Sequence, residues 1–269
     1  MVKSEGSGLL GRSSLLFNFC YIFLAHGVVS GIISGGIEFA IAYGMYYHSS
    51  KPVYLWGFPN TLSGDCALTV FIQVGVTWVC EELIVGWDCF QSKTPLLPFE
   101  IELPDEASHG LFWRLFEVKH GIAKDELSLR SYVRKQFIRY PSRSRCFNLF
   151  SWLLHKFVIS MIAAAMIWFW VWPVTMGVMA GVGTRVGSHE YKFHGWAPQI
   201  MKLIFGFVIG LMCTPLAIIV ILLRDKWFLE YKKSAQTGSQ EDEKRAPTDA
   251  IENSSGDFHT DSTNQDPSA

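Results

Sequence analysis

The sequence predicts an all-α polytopic membrane protein: a bundle of four transmembrane helices with cytosolic amphipathic helices and a disordered C-terminal tail. Two observations carry that expectation. The first is charge segregation. The 269 residues average 49% hydrophobic and 17% charged, with a net charge of −1, which are the averages of an ordinary soluble domain. Yet residues 15–80 hold only Glu38, Lys51 and Asp65 as charged groups, and residues 152–223 only Lys156, Arg185, Glu190, Lys192 and Lys202. The second is run length, because about 20 mostly apolar residues suffice to cross about 30 Å of hydrocarbon. The lack of a basic excess argues against a nucleic-acid partner.

Taken in order, residues 1–14 form a cytosolic N-terminus and residues 15–87 a first pair of spans. The first span is placed near 20–45 with Glu38 inside it: residues 13–37 carry no charge, and the apolar pattern continues from Phe39 to Tyr47. It exceeds the roughly 7–15 residues of a signal-peptide core and is expected to be retained. The second span is placed near 65–85. Only residues 66–80 are free of charge there, so crossing requires Asp65 or Glu81 near membrane depth. The alternative is three spans, with this helix lying in the interface. Residues 88–151 form a cytosolic loop. Residues 152–223 hold the second pair, near 156–183 and 201–223, built on the uncharged runs 157–184 and 203–223, with Lys156 and Lys202 within or beside the spans. Residues 224–269 are a cytosolic acidic tail, rich beyond Ser234 in Ser, Thr, Gln and Asn, that buries too little apolar surface to fold.

Lysine and arginine set the orientation. The connections after the first and third spans hold only Lys51, Arg185 and Lys192, whereas the 88–151 loop and the residues from Arg224 onward are rich in both. Both termini are therefore expected in the cytosol. That places the glycosylation sequon at Asn253 on the side where it is not used. The long first and third runs suit a thick bilayer such as the plasma membrane, with the endoplasmic reticulum or another secretory-pathway membrane as the alternative. The six cysteines form no disulfide framework, because only Cys66 lies near the outside. Cys89 and Cys146 are juxtamembrane candidates for palmitoylation, with buried or free thiols as the plainer expectation.

Packing is written into the glycines. Gly27, Gly31 and Gly35 are spaced by four on one helix face, and Gly177/Gly181 and Gly206/Gly210 repeat the spacing in the third and fourth spans. Small residues at that spacing let helix backbones approach, within a bundle or between copies. Pro173 and Pro215 inside the spans are expected to kink them for structural reasons. Trp168, Trp170 and Trp172 are expected either at the outer interface or against neighbouring helices.

The candidate site is an intramembrane polar cluster: Glu38, Thr69, Gln73, Thr77 and Glu81. Asp65, Thr69, Gln73, Thr77 and Glu81 follow one another at intervals of four on the second span. Glu38 shares the face of Gly35. A carboxylate at that depth is costly and must face the bundle or be protonated, and equal depth pairs it with Gln73. The plain function of such a cluster is a hydrogen-bonded clamp that fixes helix register. The chemical one is a proton or cation path.

In the loop, Leu129, Tyr132, Val133, Phe137 and Tyr140 fall on one helical face. Arg130, Arg134, Lys135, Arg139, Arg143 and Arg145 make a basic surface suited to anionic lipids of the cytosolic leaflet. The acids Glu81, Glu82 and Asp88 are expected to pair with that basic half rather than to act as a catalytic pair. His189, Glu190 and His194 lack metal-ligand spacing, so neither a metal nor a cofactor is expected.

The segments Gly35-Gly36-Ile37-Glu38-Phe39-Ala40 and Trp56-Gly57-Phe58-Pro59-Asn60-Thr61-Leu62-Ser63-Gly64-Asp65 resemble a family of fungal multi-pass membrane proteins with no established activity. The resemblance covers the spans but not the tail, and it implies no catalytic or binding residue. The functional expectation is a non-enzymatic integral membrane protein that organises lipids, a second copy or a membrane-protein partner. A small transporter or channel through the polar cluster is the alternative, and a lipid-acting membrane enzyme the third.

Overall fold

The computed structural model describes residues 14–47, 49, 51–97, 102–103, 109–119, 128–137, 140 and 142–245. Four helices are long and apolar enough to cross a membrane: Leu15–Tyr47, Leu62–Phe90, Arg145–Val182 and Ala197–Thr237. The first is a continuous rod of α1 (Leu15–Phe19), a π-helical stretch Cys20–Val28, α2 (Val29–Ala42) and a second π-helical stretch Tyr43–Tyr47. The second, α3 (Leu62–Phe90), is long and apolar enough to cross. It has 29 residues, about 44 Å at 1.5 Å per residue, and it starts cleanly because Thr61 Oγ1 accepts from the Gly64 amide. Two short helices follow, α4 (Gly110–Leu115) and α5 (Leu129–Phe137). The long α6 (Arg145–Val182) is capped by Ser144, whose Oγ accepts from the Phe147 amide. The last helix is α7 (Ala197–Arg245).

The all-α expectation needs one correction. The two short connections, after the first rod and after α6, join in a four-stranded sheet. Its strands are β1 (Val53–Tyr54), β2 (Asn60–Thr61), β3 (Thr184–Val186) and β4 (Glu190–Phe193), in the order β2-β1-β4-β3. β1 pairs in parallel with β2 and antiparallel with β4, with Val53 opposite Phe193. Gly183 ends α6 and lies against Tyr191 so closely that a Cβ there would be 2.9 Å from the Tyr191 Cβ. Gly187, at φ +78, turns the β3–β4 hairpin. Glu190 serves this sheet: its Oε1 accepts from the Trp56 amide. Chains too short for a helical turn had to satisfy their backbone groups with each other.

A core of Val70, Val74, Ala164, Ile209 and Ala217 joins α3, α6 and α7, and a second, with Ile22, Val85 and Ile221, lies farther from the sheet. The tryptophan triplet divides between the two environments expected of it. Trp168 and Trp172 pack together with their rings tilted, and Trp172 Nε1 donates to the Ser63 carbonyl, whereas Trp170 is exposed. Cys89 is buried and Cys146 exposed.

Of the 224–269 tail expected to be disordered, residues up to Arg245 continue α7. The run Lys232, Lys233, Ser234, Ala235 is made mostly of good helix formers, and Ser234 and Thr237 return their hydroxyls to the Glu230 and Lys233 carbonyls. The residues from Leu229 onward form a separate unit. The rest of the tail, Asn253 and most of residues 1–14 lie outside the described residues.

Candidate functional site

Lys202 is the centre of the cluster nearest the sheet. It follows Trp196 by six residues on α7, where the polar loop gives way to the apolar run, and its side chain is wholly buried. Its Nζ lies 2.7 Å from Glu38 Oε2 and 3.1 Å from Asp65 Oδ1, and it also donates to Thr69 Oγ1. Thr69 in turn donates to Glu38 Oε2 at 3.3 Å, and the Tyr46 hydroxyl donates to Asp65 Oδ2 at 2.7 Å. Burying an ammonium is costly unless it is paired and hydrogen-bonded. Here two carboxylates and a hydroxyl surround it.

The structure brings Glu38 and Thr69 together as the sequence suggested, but it does not pair Glu38 with Gln73. Gln73 Nε2 donates instead to the Gly206 carbonyl at 2.7 Å. The reason is competition: a lysine at equal depth offers Glu38 a charged donor, which an amide cannot match. Thr77 is buried on the same row. Glu81 closes it, with His26 Nδ1 2.8 Å from its Oε2. About two turns farther along α3, the Tyr21 hydroxyl donates to Asp88 Oδ2 at 2.7 Å. The row from Asp65 to Glu81 spans about 24 Å at 1.5 Å per residue.

A second ionic cluster binds α3 to α6, α7 and the turn after α4. Glu82 accepts from Lys156 at 3.1 Å and from Arg224. Lys156 also reaches Glu117 Oε2 at 2.9 Å, and Gln136 Nε2 of α5 reaches Glu82 Oε1 at 3.4 Å. Glu117 adopts φ 51, a left-handed conformation that costs a residue with a Cβ about 1 kcal/mol, and its ion pairs hold it there. Tyr132 of α5 donates to the Leu83 carbonyl at 2.9 Å. Burial, with the nearby charge of Glu82, holds its hydroxyl well above its ordinary pKa, so it remains a donor. Among the described residues, Glu81, Glu82 and Asp88 therefore pair with His26, with Lys156 and Arg224, and with Tyr21, all on the long helices.

Of the basic residues in the loop, Arg130, Arg134, Arg143 and Arg145 are exposed, but the apolar face of α5 is divided. Tyr132 and Gln136 are buried, and Phe137 packs edge-on against Trp152. Leu129 and Val133 are exposed beside Arg130 and Arg134. Arg143 lies over the Phe147 ring, and Arg145 is exposed. Arg139 and the side chain of Lys135 lie outside the described residues.

The glycine faces also separate. Gly31 and Gly35 meet α7: a Cβ on Gly35 would be 2.7 Å from the Leu203 carbonyl oxygen, and one on Gly206 would be 2.8 Å from Glu38 Cγ. Gly27 faces Leu211 and Pro215, and Gly210 faces Gly31. A Cβ on Gly177 or Gly181 would meet nothing within 4 Å, so their spacing does not mark a contact among the described residues.

Sequence reasoning left out Lys202, Lys156, Arg224, His26 and Tyr46 as partners. The signal was present for the two lysines, since each is a lone cation at span depth and requires a carboxylate.

Residues 128–222 match a family model described as Protein of unknown function (DUF2456). A Saccharomyces cerevisiae protein, Uncharacterized protein YHL026C, is 38% identical over 277 residues, covering 88% of this chain and 88% of that one. The chain belongs to this fungal family. Uncharacterized protein C594.02c of Schizosaccharomyces pombe is 34% identical over 187 residues, which is 69% of this chain but only 34% of that protein. No solved structure matches the chain. The region matched by the DUF2456 model takes in α5, α6 and α7 as far as Leu222. It therefore contains Lys156 and Lys202, but not Glu38 and Asp65, the partners of Lys202, nor Glu82 and Glu117, the partners of Lys156.

Proposed function

We propose that this DUF2456 protein is a four-span integral membrane protein with both termini in the cytosol, non-enzymatic, whose buried ion pairs lock the bundle so that its outer surfaces can organise lipid and membrane partners. The observation that carries the reading is the closed packing around Lys202: the ammonium is wholly buried, and Glu38 is pressed against Gly206 with no room for a methyl group. Such a site serves register rather than passage. Support for the membrane comes from the outward faces, where Ile32, Ile37, Leu68, Ile72, Phe169 and Val178 are all exposed. Apolar surface on that scale is suited to lipid. The engagement of Glu81, Glu82 and Asp88 by His26, Lys156 with Arg224, and Tyr21 supports the non-enzymatic assignment. The exposed basic face of α5 and the open Gly177/Gly181 face are the surfaces offered to anionic lipid and to a partner or second copy.

A second reading rests on one observation. The Lys202 cluster has two carboxylates for one ammonium, and a buried polar row leads from it to His26 and Glu81, as a proton or cation path would require. Purified protein in vesicles loaded with a pH-sensitive or cation-sensitive dye separates the two. The structural role gives no flux above empty vesicles. Flux that Glu38→Gln abolishes, with the protein still folded, would replace it with transport.

A further inference from the structure

Between α4 and the first half of α6 lies a cavity of about 820 Å³ that neither ionic cluster fills. One wall is a single face of α6: Ser151, Leu154, His155 and Val158, at helical spacing. The opposite wall is α4 and its following turn, with Arg114, Lys119 and Trp113. The walls are tied together, since His155 Nε2 lies 2.8 Å from the Leu115 carbonyl oxygen. Tyr140 at the rim is pinned by the Asn148 side chain through both its amide and its carbonyl.

The cavity's chemistry is graded. Arg114 and Lys119 are exposed cations. Among the described lining residues the carboxylate is Glu117, which is neutralised by Lys156 at 2.9 Å and flanked by His155 at 3.3 Å. With Arg114 and Lys119 beside it, the described lining carries more positive than negative charge. The ring of Trp113 already carries the Lys119 ammonium, 5.7 Å from its centroid, so it is not left open for a quaternary ammonium. Leu154 and Val158, 50% and 44% exposed, extend the same wall into the apolar run of α6. A cationic mouth opening onto an apolar helix face is the shape of a headgroup with its chains attached.

We infer that this cavity binds an anionic glycerophospholipid, its phosphate-bearing headgroup held by Arg114, Lys119 and Ser151 and its acyl chains lying along Leu154 and Val158. The inference rests on the membrane reading above. Resistance to alkaline carbonate extraction tests that reading by itself: a protein that washes off the membrane overturns it.

The cavity is tested with the full-length protein in detergent, titrated with short-chain phosphatidylserine, with phosphatidylcholine of the same chain length, and with glycerophosphoserine as the headgroup alone. Phosphatidylserine binds about tenfold tighter than phosphatidylcholine, a preference of the size two basic residues supply. Arg114→Gln with Lys119→Gln removes that preference. Leu154→Trp weakens phosphatidylserine several-fold without changing the weak binding of glycerophosphoserine. Arg130→Gln with Arg134→Gln, on the separate basic face of α5, leaves the preference in place. Four results would overturn the proposal: equal binding of the two lipids by wild type, an unchanged preference in the Arg114/Lys119 variant, loss of the preference in the Arg130/Arg134 variant alone, or headgroup binding as tight as the lipid, which would assign the site to a free phosphate compound.

Discussion

Gly31 and Gly210 touch: a Cβ built on Gly210 would lie 2.8 Å from the Gly31 Cα and 3.1 Å from its amide nitrogen. Backbone meets backbone there, so no side chain can move aside to admit a larger residue. Gly210→Leu is expected to destabilise the folded protein by about 1–3 kcal/mol or to prevent folding, whereas Gly177→Leu, facing open space, is expected to change stability by less than about 0.5 kcal/mol. Thermal unfolding in detergent checks the pair. Equal loss in both variants would mean that the glycine spacing in α6 also packs within the chain.

How much of this was legible in the sequence depends on what each signal reports. Charge-free runs report burial in an apolar medium, and all four long helices were found from them. The small sheet was not, because β1 and β2 are two residues each and leave no alternation to read. The row Asp65–Thr69–Gln73–Thr77–Glu81 was legible as one helix face, and its burial follows from that face. Its partners were not. Spacing places residues on a helix, but pairing Glu38 with Lys202 across helices requires knowing that the first rod and α7 are neighbours. The glycines carried that information, since Gly31 and Gly35 fit against Phe207 and Leu203, but only once the facing helix was known.

Removing Lys202 and removing Glu38 are not equivalent. Lys202→Met leaves Glu38 and Asp65 facing each other without a cation, and a cost of about 3–5 kcal/mol is expected. Glu38→Gln leaves the ammonium with Asp65 at 3.1 Å, and a smaller cost is expected, on the order of 1–3 kcal/mol. The triple change Lys202→Met, Glu38→Gln, Asp65→Asn should recover most of the stability lost by Lys202→Met alone. Melting temperatures of the four proteins test this, and a triple variant no more stable than Lys202→Met would refute the clamp.

Glu117 combines an unusual backbone with ionic contacts to Lys156, His155 and Arg224, so two truncations separate the contributions. Both Glu117→Ala and Glu117→Gly remove these contacts and should be less stable than wild type. Only glycine is relieved at φ 51. Glu117→Gly is therefore expected to be about 1 kcal/mol more stable than Glu117→Ala, the reverse of the order in an ordinary helix. Finding alanine the more stable would mean that the turn relaxes when its carboxylate is lost.

The cysteines report where lipid lies, because reagent access depends on the medium as well as on exposure. Cys66 and Cys213 are buried, whereas Cys80 and Cys146 are exposed. Cys146 stands at the first turn of α6, beside exposed Arg145, whereas Cys80 stands deep in α3, on a helix whose exposed side chains include Ile72, Val76 and Ile84. A thiolate is needed for reaction with a maleimide, and an apolar medium suppresses it. In sealed membranes, a charged maleimide is therefore expected to label Cys146 only after permeabilisation and to leave Cys80 unlabelled throughout. Dissolving the membrane in detergent at raised pH should release Cys80 for labelling before Cys66 or Cys213. Mass spectrometry of the labelled peptides decides the matter: prompt labelling of Cys80 in intact membranes would place that face of α3 in water and remove the second span from the bilayer.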